Sequence, residues 1–229
     1  LRRGVSFVIH DRALASASLM LLLLVLCAVL GPLVWRKDPL GLDIGTTLQA
    51  PSWAHPMGTD SVGRDIFARF NAGAGISLAT GSLVVLVGAA LGSTIGVVAG
   101  VLGGWLDVIL MRVMDAILSF PPLILAMAVT VGLGVGIQTA AIGIMLTSVP
   151  FYARLLRSEA LRIRALPFIE AAAALGASRH RIILRHVVPH LVGTLFIQAA
   201  AVFGYAILSL AALGFVGLGA QVPTPEWGA

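Results

Sequence analysis

The sequence predicts an all-α, polytopic membrane protein with five helices crossing a bilayer, and three observations carry that prediction. Of its 229 residues, 59% are apolar and only 11% are charged, against roughly 25% charged in soluble domains. Mean hydropathy is +1.01. The charges are also bunched, leaving four stretches long enough to span a bilayer free of Asp, Glu, Lys and Arg, at 13–35, 70–106, 116–153 and 186–225. An ionisable side chain at the bilayer centre costs about 3 kcal/mol, so such stretches mark where the chain can cross.

The elements follow in order. A basic start with Arg2, Arg3 and Arg12 precedes the first apolar run, as in a signal peptide, but signal cores hold about 7–15 apolar residues and a spanning helix about 20. Residues 13–35 are therefore read as an uncleaved first transmembrane helix after a cytoplasmic terminus (1–12). In the external segment 36–72, Gly58-Thr59-Asp60 offers a turn and a cap. Asp60 is expected to start a short amphipathic helix in which Asp65 and Arg69 pair at i, i+4. That helix would serve either as a gate or docking surface, or as a plain interfacial helix. The second span, 73–104, carries small residues at intervals of four around Gly88, Gly92, Gly96 and Gly100, which suit close helix packing in lipid. The third charge-free stretch is long enough for two spans, 110–133 and 137–156, reversing at Gly132, Gly134 and Gly136. Near its inner boundary Arg112 and Asp115, three apart, are expected to form a structural ion pair. A basic loop at 157–189, a fifth span at 190–219 and an external tail at 220–229 complete the chain.

Basic residues favour cytoplasmic loops. The proposed inner segments hold Arg2, Arg3, Arg12, Arg112, Arg154, Arg157, Arg162, Arg164, Arg179, Arg181 and Arg185, and the outer ones hold Arg36, Lys37, Arg64 and Arg69. The amino terminus is thereby expected inside. An odd number of crossings, ending without a charged stop, leads to the expectation of a sixth helix beyond Ala229.

Between two spans, the basic loop has to fold against something in water. Pro167 suits the first position of a helix, Glu170 falls in its first turn where the helix dipole favours an anion, and residues 171–175 are strong helix formers. Gly176 ends that helix. Ser178 caps the next, which runs through His186 until Pro189 breaks the chain at the membrane. The expected product is a helix–turn–helix knob with small alanine side chains that let a partner surface approach.

The string Glu170-Ala171-Ala172-Ala173-Ala174-Leu175-Gly176-Ala177-Ser178, followed by Arg181-Ile182-Ile183-Leu184-Arg185-His186 and Pro189, resembles the "EAA" coupling loop of ABC importer permeases. Further matches are Gly58-Thr59-Asp60 with Gly63-Arg64-Asp65, Gly103-Gly104-Trp105 with Asp107, Met111-Arg112 and Asp115, Phe120-Pro121, and Gly217-Leu218-Gly219 with Pro223-Thr224-Pro225 and Trp227-Gly228. Together they resemble the C-type permease of dipeptide, oligopeptide and nickel importers. Two departures are His190, where the family often has Asn, and Ala211-Ala212-Leu213-Gly214, which replaces a more usual Ser-bearing stretch. The resemblance implies a type I ABC importer transmembrane fold in a bacterial inner membrane. It implies a homologous second permease, two ATP-binding subunits that carry ATP and Mg, and an extracytoplasmic substrate-binding protein. It assigns ATPase coupling to Glu170, Ala171, Ala172, Gly176, Ala177 and Ser178. Peptides are the implied cargo, with nickel or another small solute as the alternative.

Other functions are disfavoured by the residues. The net charge of +5 is dispersed between apolar tracts and forms no basic stripe for nucleic acid. Cys27 is the single cysteine, so no intrachain disulfide or zinc set exists. His186 and His190 have helical metal-ligand spacing, but Pro189 lies between them and no third ligand is near. Lys37, the only lysine, sits in no Gly-x-x-x-x-Gly-Lys-Ser/Thr loop, so no ATP hydrolysis is expected on this chain, and no catalytic residues are assigned. A secondary transporter would call for membrane-buried carboxylates or inverted repeats with broken helices, and no carboxylate lies in the centre of any span. A non-transporting membrane scaffold would differ in co-purifying without an ATPase.

Overall fold

The computed structural model describes residues 12–228; residues 1–11, with Arg2 and Arg3 of the expected cytoplasmic terminus, and residue 229 lie outside the described residues. Helices and turns make up the described chain, and the single β-bridge, Thr59 with Asp65, is isolated. Two units divide it.

One unit comprises residues up to Ala79 together with Val222–Trp227. Its helix α1 (Arg12–Val34) is about 35 Å long at 1.5 Å per residue. Leu19, Leu22, Leu26 and Leu33 are all exposed, as suits a helix whose solvent is hydrocarbon. Its end meets the long helix α2 (Ile66–Leu102) through Trp35, edge-on to Phe67 at 5.6 Å, and through Gly31, whose missing Cβ leaves room for Asn71.

The segment between them departs from expectation. No helix begins at Asp60; its Oδ1 accepts the backbone N–H groups of Val62 (2.9 Å) and Arg64 (3.0 Å), and its Oδ2 the Arg64 Nε–H (2.6 Å). Gly63, at φ +80°, closes this loop, a conformation glycine adopts without penalty. Burial raises the Asp60 carboxyl, but the N–H groups of Arg64 and Val62 and the Arg64 guanidinium overcome it and hold the group below its ordinary range.

Asp65 does not pair with Arg69 either. It caps α2, accepting from Ala68 N–H at 2.8 Å, and its buried carboxylate also meets Trp35 Nε1 (3.3 Å), His55 Nδ1 (2.8 Å) and Lys37 Nζ (3.6 Å). An acceptor so occupied has nothing left for a neighbour one turn on. Arg69 donates instead to the carbonyls of Pro39 (3.4 Å) and Pro223 (3.2 Å).

The other unit comprises Thr80–Gln221 with Gly228: the remainder of α2, then α3 (Gly104–Leu118), α4 (Pro122–Leu133), α5 (Ile137–Arg164), α6 (Pro167–Ala174), α7 (Arg179–Ile182), a π-turn (Ile183–Val187) and α8 (Val188–Phe215). Helix α5 is the hub, against which α3, α4 and α8 pack. The glycine row of α2 also lies on α5. A Cβ at Gly92 would sit 2.5 Å from Tyr152 Cβ, one at Gly96 2.9 Å from Arg157 N, and one at Gly100 2.9 Å from Ala160 Cβ. Only hydrogen fits at those points, and backbones approach closely as small residues permit in lipid. Val84, Ile144, Ala206 and Leu210 are buried together in a core shared by α2, α4, α5 and α8.

The stretch 110–133, expected as one span, is bent by 87° between α3 and α4. Pro121 and Pro122 stand at the break; neither has an N–H to continue the ladder, and each restrains the residue before it. The reversal before α5 falls where the glycines placed it, with Gly134 at φ +102°. Asp115 is paired with Arg154 of α5 at 2.9 Å, not with Arg112. Beside it Asp107 takes a two-pronged pair from Arg157, at 2.5 and 2.6 Å. An i, i+3 pair gains only about 0.2–0.5 kcal/mol, and a packed neighbouring helix easily outbids it. Among the described residues, four helical rods are long and apolar enough to cross a bilayer, α1, α2, α5 and the continuous Arg179–Phe215; the bent α3–α4 pair makes a fifth if counted as one span.

Candidate functional site

The site is the basic segment between α5 and α8, and it forms because the sequence stops one helix and starts another within four residues. Helix α5 continues to Arg164, further than the expected end of the span at 156, because Leu156, Ala160 and Ile163 are all buried on one side of it. Pro167 then takes the first turn of α6, its missing N–H costing nothing there. At the other end the Gly176 N–H bonds Ala173 O at 2.9 Å and the Ala177 N–H bonds Ala172 O at 3.0 Å. This is a Schellman closure, and Gly176 at φ +81° permits it. The Ser178 hydroxyl accepts from Arg181 N–H at 3.3 Å and caps α7.

Pro189 does not break the chain. Residues 183–187 adopt one π-turn, in which Val188 N–H reaches Ile183 O, and Pro189 enters the first turn of α8, where no intrahelical donor is required. His190 Nδ1 lies 2.6 Å from His186 O. Both imidazoles lie against Phe168, His190 stacked at 5.5 Å and His186 tilted at 6.1 Å. Their i, i+4 spacing thus serves to clamp α6 onto α8.

The knob has two faces. Inward, Ile169, Ile182 and Val187 join Val97, Val101, Leu156, Ala160, Ile163 and Leu191 in one core. Outward, Glu170, Ala171, Ala173, Ala174 and Gly176 are exposed, and Leu175 at the tip is 89% exposed. Ala172 and Ala177 are half-buried beneath the turn. The six residues singled out in the sequence therefore fall on one short surface, with Ser178 and Gly176 setting its shape. A hollow of about 310 Å³ beside it is lined by Arg164, Glu170, Ala173 and Arg179, which gives this face a mainly cationic rim. Sequence reasoning missed the anchors Phe168, Ile169 and Ile182, although apolar residues in so basic a segment were the available signal.

Such an arrangement can transmit displacement. The outer face of the knob is bare, while the opposite face is close-packed against helix ends, and close packing leaves little slack to absorb motion. No group of three or more His, Cys, Asp or Glu that could hold a metal occurs among the described residues.

Comparison with known proteins adds three findings. A family model described as "Binding-protein-dependent transport system inner membrane component" matches residues 92–229. Among curated relatives, the probable D,D-dipeptide transport system permease protein DdpC of Escherichia coli (strain K12) is 41% identical over 214 residues, covering 93% of this chain and 72% of that protein. The dipeptide transport system permease protein DppC of Alkalihalophilus pseudofirmus is 42% identical over 204 residues (89% and 67%). The glutathione transport system permease protein GsiD of Pectobacterium atrosepticum is 42% identical over 181 residues (79% and 60%). The chain thus spans between 60 and 72% of the length of these relatives. Among solved structures, a chain of the MetNI methionine ABC transporter in an inward-facing conformation matches with TM-score 0.55 at 23% identity, over 63% of this chain and 72% of that one, a likeness of fold.

Proposed function

Because the chain belongs to the family of inner membrane components of binding-protein-dependent transport systems, we propose that it forms half of a translocation pathway for peptides and receives the work of ATP hydrolysis through α6. A permease subunit supplies no chemistry of its own. Two ATP-binding subunits carrying ATP and Mg, a homologous second permease and an extracytoplasmic substrate-binding protein complete the machine. The amino terminus and the knob face the cytoplasm, where the arginines of residues 154–185 meet the rule for inner loops. The peptide reading is supported by relatives named for dipeptides, D,D-dipeptides and glutathione.

One observation carries the coupling role: the alanine face of α6 is bare while its other side is fused to the core of α5 and α8. Closure of the ATPase subunits would press on Glu170, Ala171, Ala172 and Gly176, with Ala177 and Ser178 holding the turn. The fused helices would then move as one body, biasing the pathway between outward and inward access. The test is dialanine uptake and dialanine-stimulated ATP hydrolysis by the assembled complex carrying Gly176→Pro or Glu170→Lys. Uptake should fall in both while basal ATP hydrolysis persists; wild-type uptake in both variants would discard the coupling role.

A further inference from the structure

Residues 222–227 lie along the first turns of α2, within the unit that also holds the loop of Asp60. Trp227 stacks on Phe70 at 5.7 Å and donates its Nε1–H to Phe70 O at 3.2 Å. The Ser77 hydroxyl donates to the buried Glu226 carboxylate at 3.1 Å and accepts from Trp227 N–H at 3.2 Å. Between this strap and the Asp60 loop lies a hollow of about 370 Å³, with Arg64, Arg69, Phe70, Trp227, Asp60 and Glu226 in its wall. Its volume falls within the roughly 300–1,000 Å³ of small-molecule sites.

The charges in that wall are unevenly satisfied. Asp60 is fully engaged by its own loop and by Arg64, and the Glu226 carboxylate is turned to Ser77. Arg69 has two long bonds to carbonyl oxygens and a longer-range attraction to the Asp60 carboxylate, which Arg64 already holds at 2.6 Å. A guanidinium beside a second guanidinium, next to a stacked aromatic pair, is a receptor for a planar anion with an apolar neighbour, because Arg binds carboxylates with two parallel N–H donors. We propose that this hollow binds the carboxylate end of a small ligand through Arg69, with Arg64 adding charge and the Phe70–Trp227 wall taking the adjoining side chain. Resting on the peptide reading above, this makes the free carboxyl terminus of a peptide the group read.

The experiment uses probes that are not transported peptides. Hippurate, with a carboxylate, an amide and a ring, is compared with its neutral carboxamide, hippuramide, by equilibrium dialysis against the assembled transporter in phosphatidylcholine nanodiscs. Hippurate should bind at least tenfold more tightly. Arg69→Gln should bring the two within twofold, while Phe70→Leu should weaken both alike. Equal binding of the two probes to the wild type, binding of neither, or a tenfold preference kept in Arg69→Gln would overturn the proposal. The first comparison needs no variant, so a folding defect cannot blunt it. Failure here with dialanine uptake intact would sink the carboxylate site alone, and loss of uptake with the preference intact would sink the peptide reading alone.

Discussion

Gly92→Ala tests how closely α2 and α5 approach. The added methyl would stand 2.5 Å from Tyr152 Cβ, 2.6 Å from Val149 O and 3.2 Å from Ala153 N. These are backbone or backbone-proximal atoms of α5, so no rotamer change relieves the clash, and carbon atoms want about 3.5–4.0 Å. The two helices must part by about 1 Å near Tyr152, a fully buried side chain, and the neighbouring contacts at Gly96 and Gly100 loosen with it. Overpacking of this kind costs about 1–3 kcal/mol, partly offset by the roughly 1 kcal/mol by which Ala outranks Gly in a helix. Gly204 is the control, since a Cβ there meets nothing within 4 Å and Gly204→Ala gains the propensity without the clash. Thermal unfolding of the purified transporter in detergent should rank Gly204→Ala at or above wild type and Gly92→Ala below it. Equal midpoints for the two variants would refute the close approach.

Three further outcomes follow from the same geometry. Arg157→Met should destabilise by about 1.5–3 kcal/mol, the range for a hydrogen bond to a charged group, discounted toward the lower end because Arg157 is one-third exposed; a double-mutant cycle with Asp107→Asn, read by thermal midpoint, should show that the two losses do not add. The folded-state pKa of Asp60 is depressed below the ordinary 3.8, so its stabilising contribution is fully present above that value and is lost as pH falls through the lower folded one. The midpoint gap between wild type and Asp60→Asn should accordingly be flat near neutrality and close only in strong acid. Gly176→Ala places a side chain at φ +81° with open space around it, so it should cost about 1–2 kcal/mol from backbone strain alone, with Gly176→Asn costing less, as measured by the same melts.

Local signals were legible where local physics decides. Pro167, Gly176 and Ser178 took the positions their backbones prefer, and the glycines before α5 marked its reversal, because each of these choices is settled within one turn of chain. Partner choice was not legible in the same way. Arg112 and Asp115 have the spacing of a pair, as do Asp65 and Arg69, but Arg154 of α5 and the side chains of Trp35, Lys37 and His55 reach those carboxylates first, and nothing in the spacing announces a residue 30 positions away. The bend at Pro121-Pro122 was signalled locally and was overridden by counting apolar residues, which measures whether a segment can cross a membrane and not whether it is straight. Pro189 misled in the opposite sense. A proline is harmless in the first turn of a helix, and the π-turn before it lets the chain enter α8 with the knob still attached.

That π-turn bears on how force would pass through the subunit. If the knob joined α8 through a flexible linker, pressing on Leu175 would tilt α6 and leave the spans unmoved. Here Ile182, just before the π-turn, and Val187, its last residue, are buried in the same core as Leu156 and Ile163 of α5 and Leu191 of α8, and Phe168 is held by His186 and His190 across the junction. Helix α5 is in turn tied to α3 by Asp107–Arg157 and Asp115–Arg154, and to α2 by glycines at which an added Cβ would clash. A close-packed interior transmits strain and does not absorb it. On the coupling role proposed for α6, motion at the tip would reach the spans as displacement of a connected set of helices. The proposed coupling then predicts that widening one contact in that set, at Gly92 or Arg157, weakens coupling of ATP hydrolysis to uptake in the assembled complex even though neither residue lies on the exposed face of the knob.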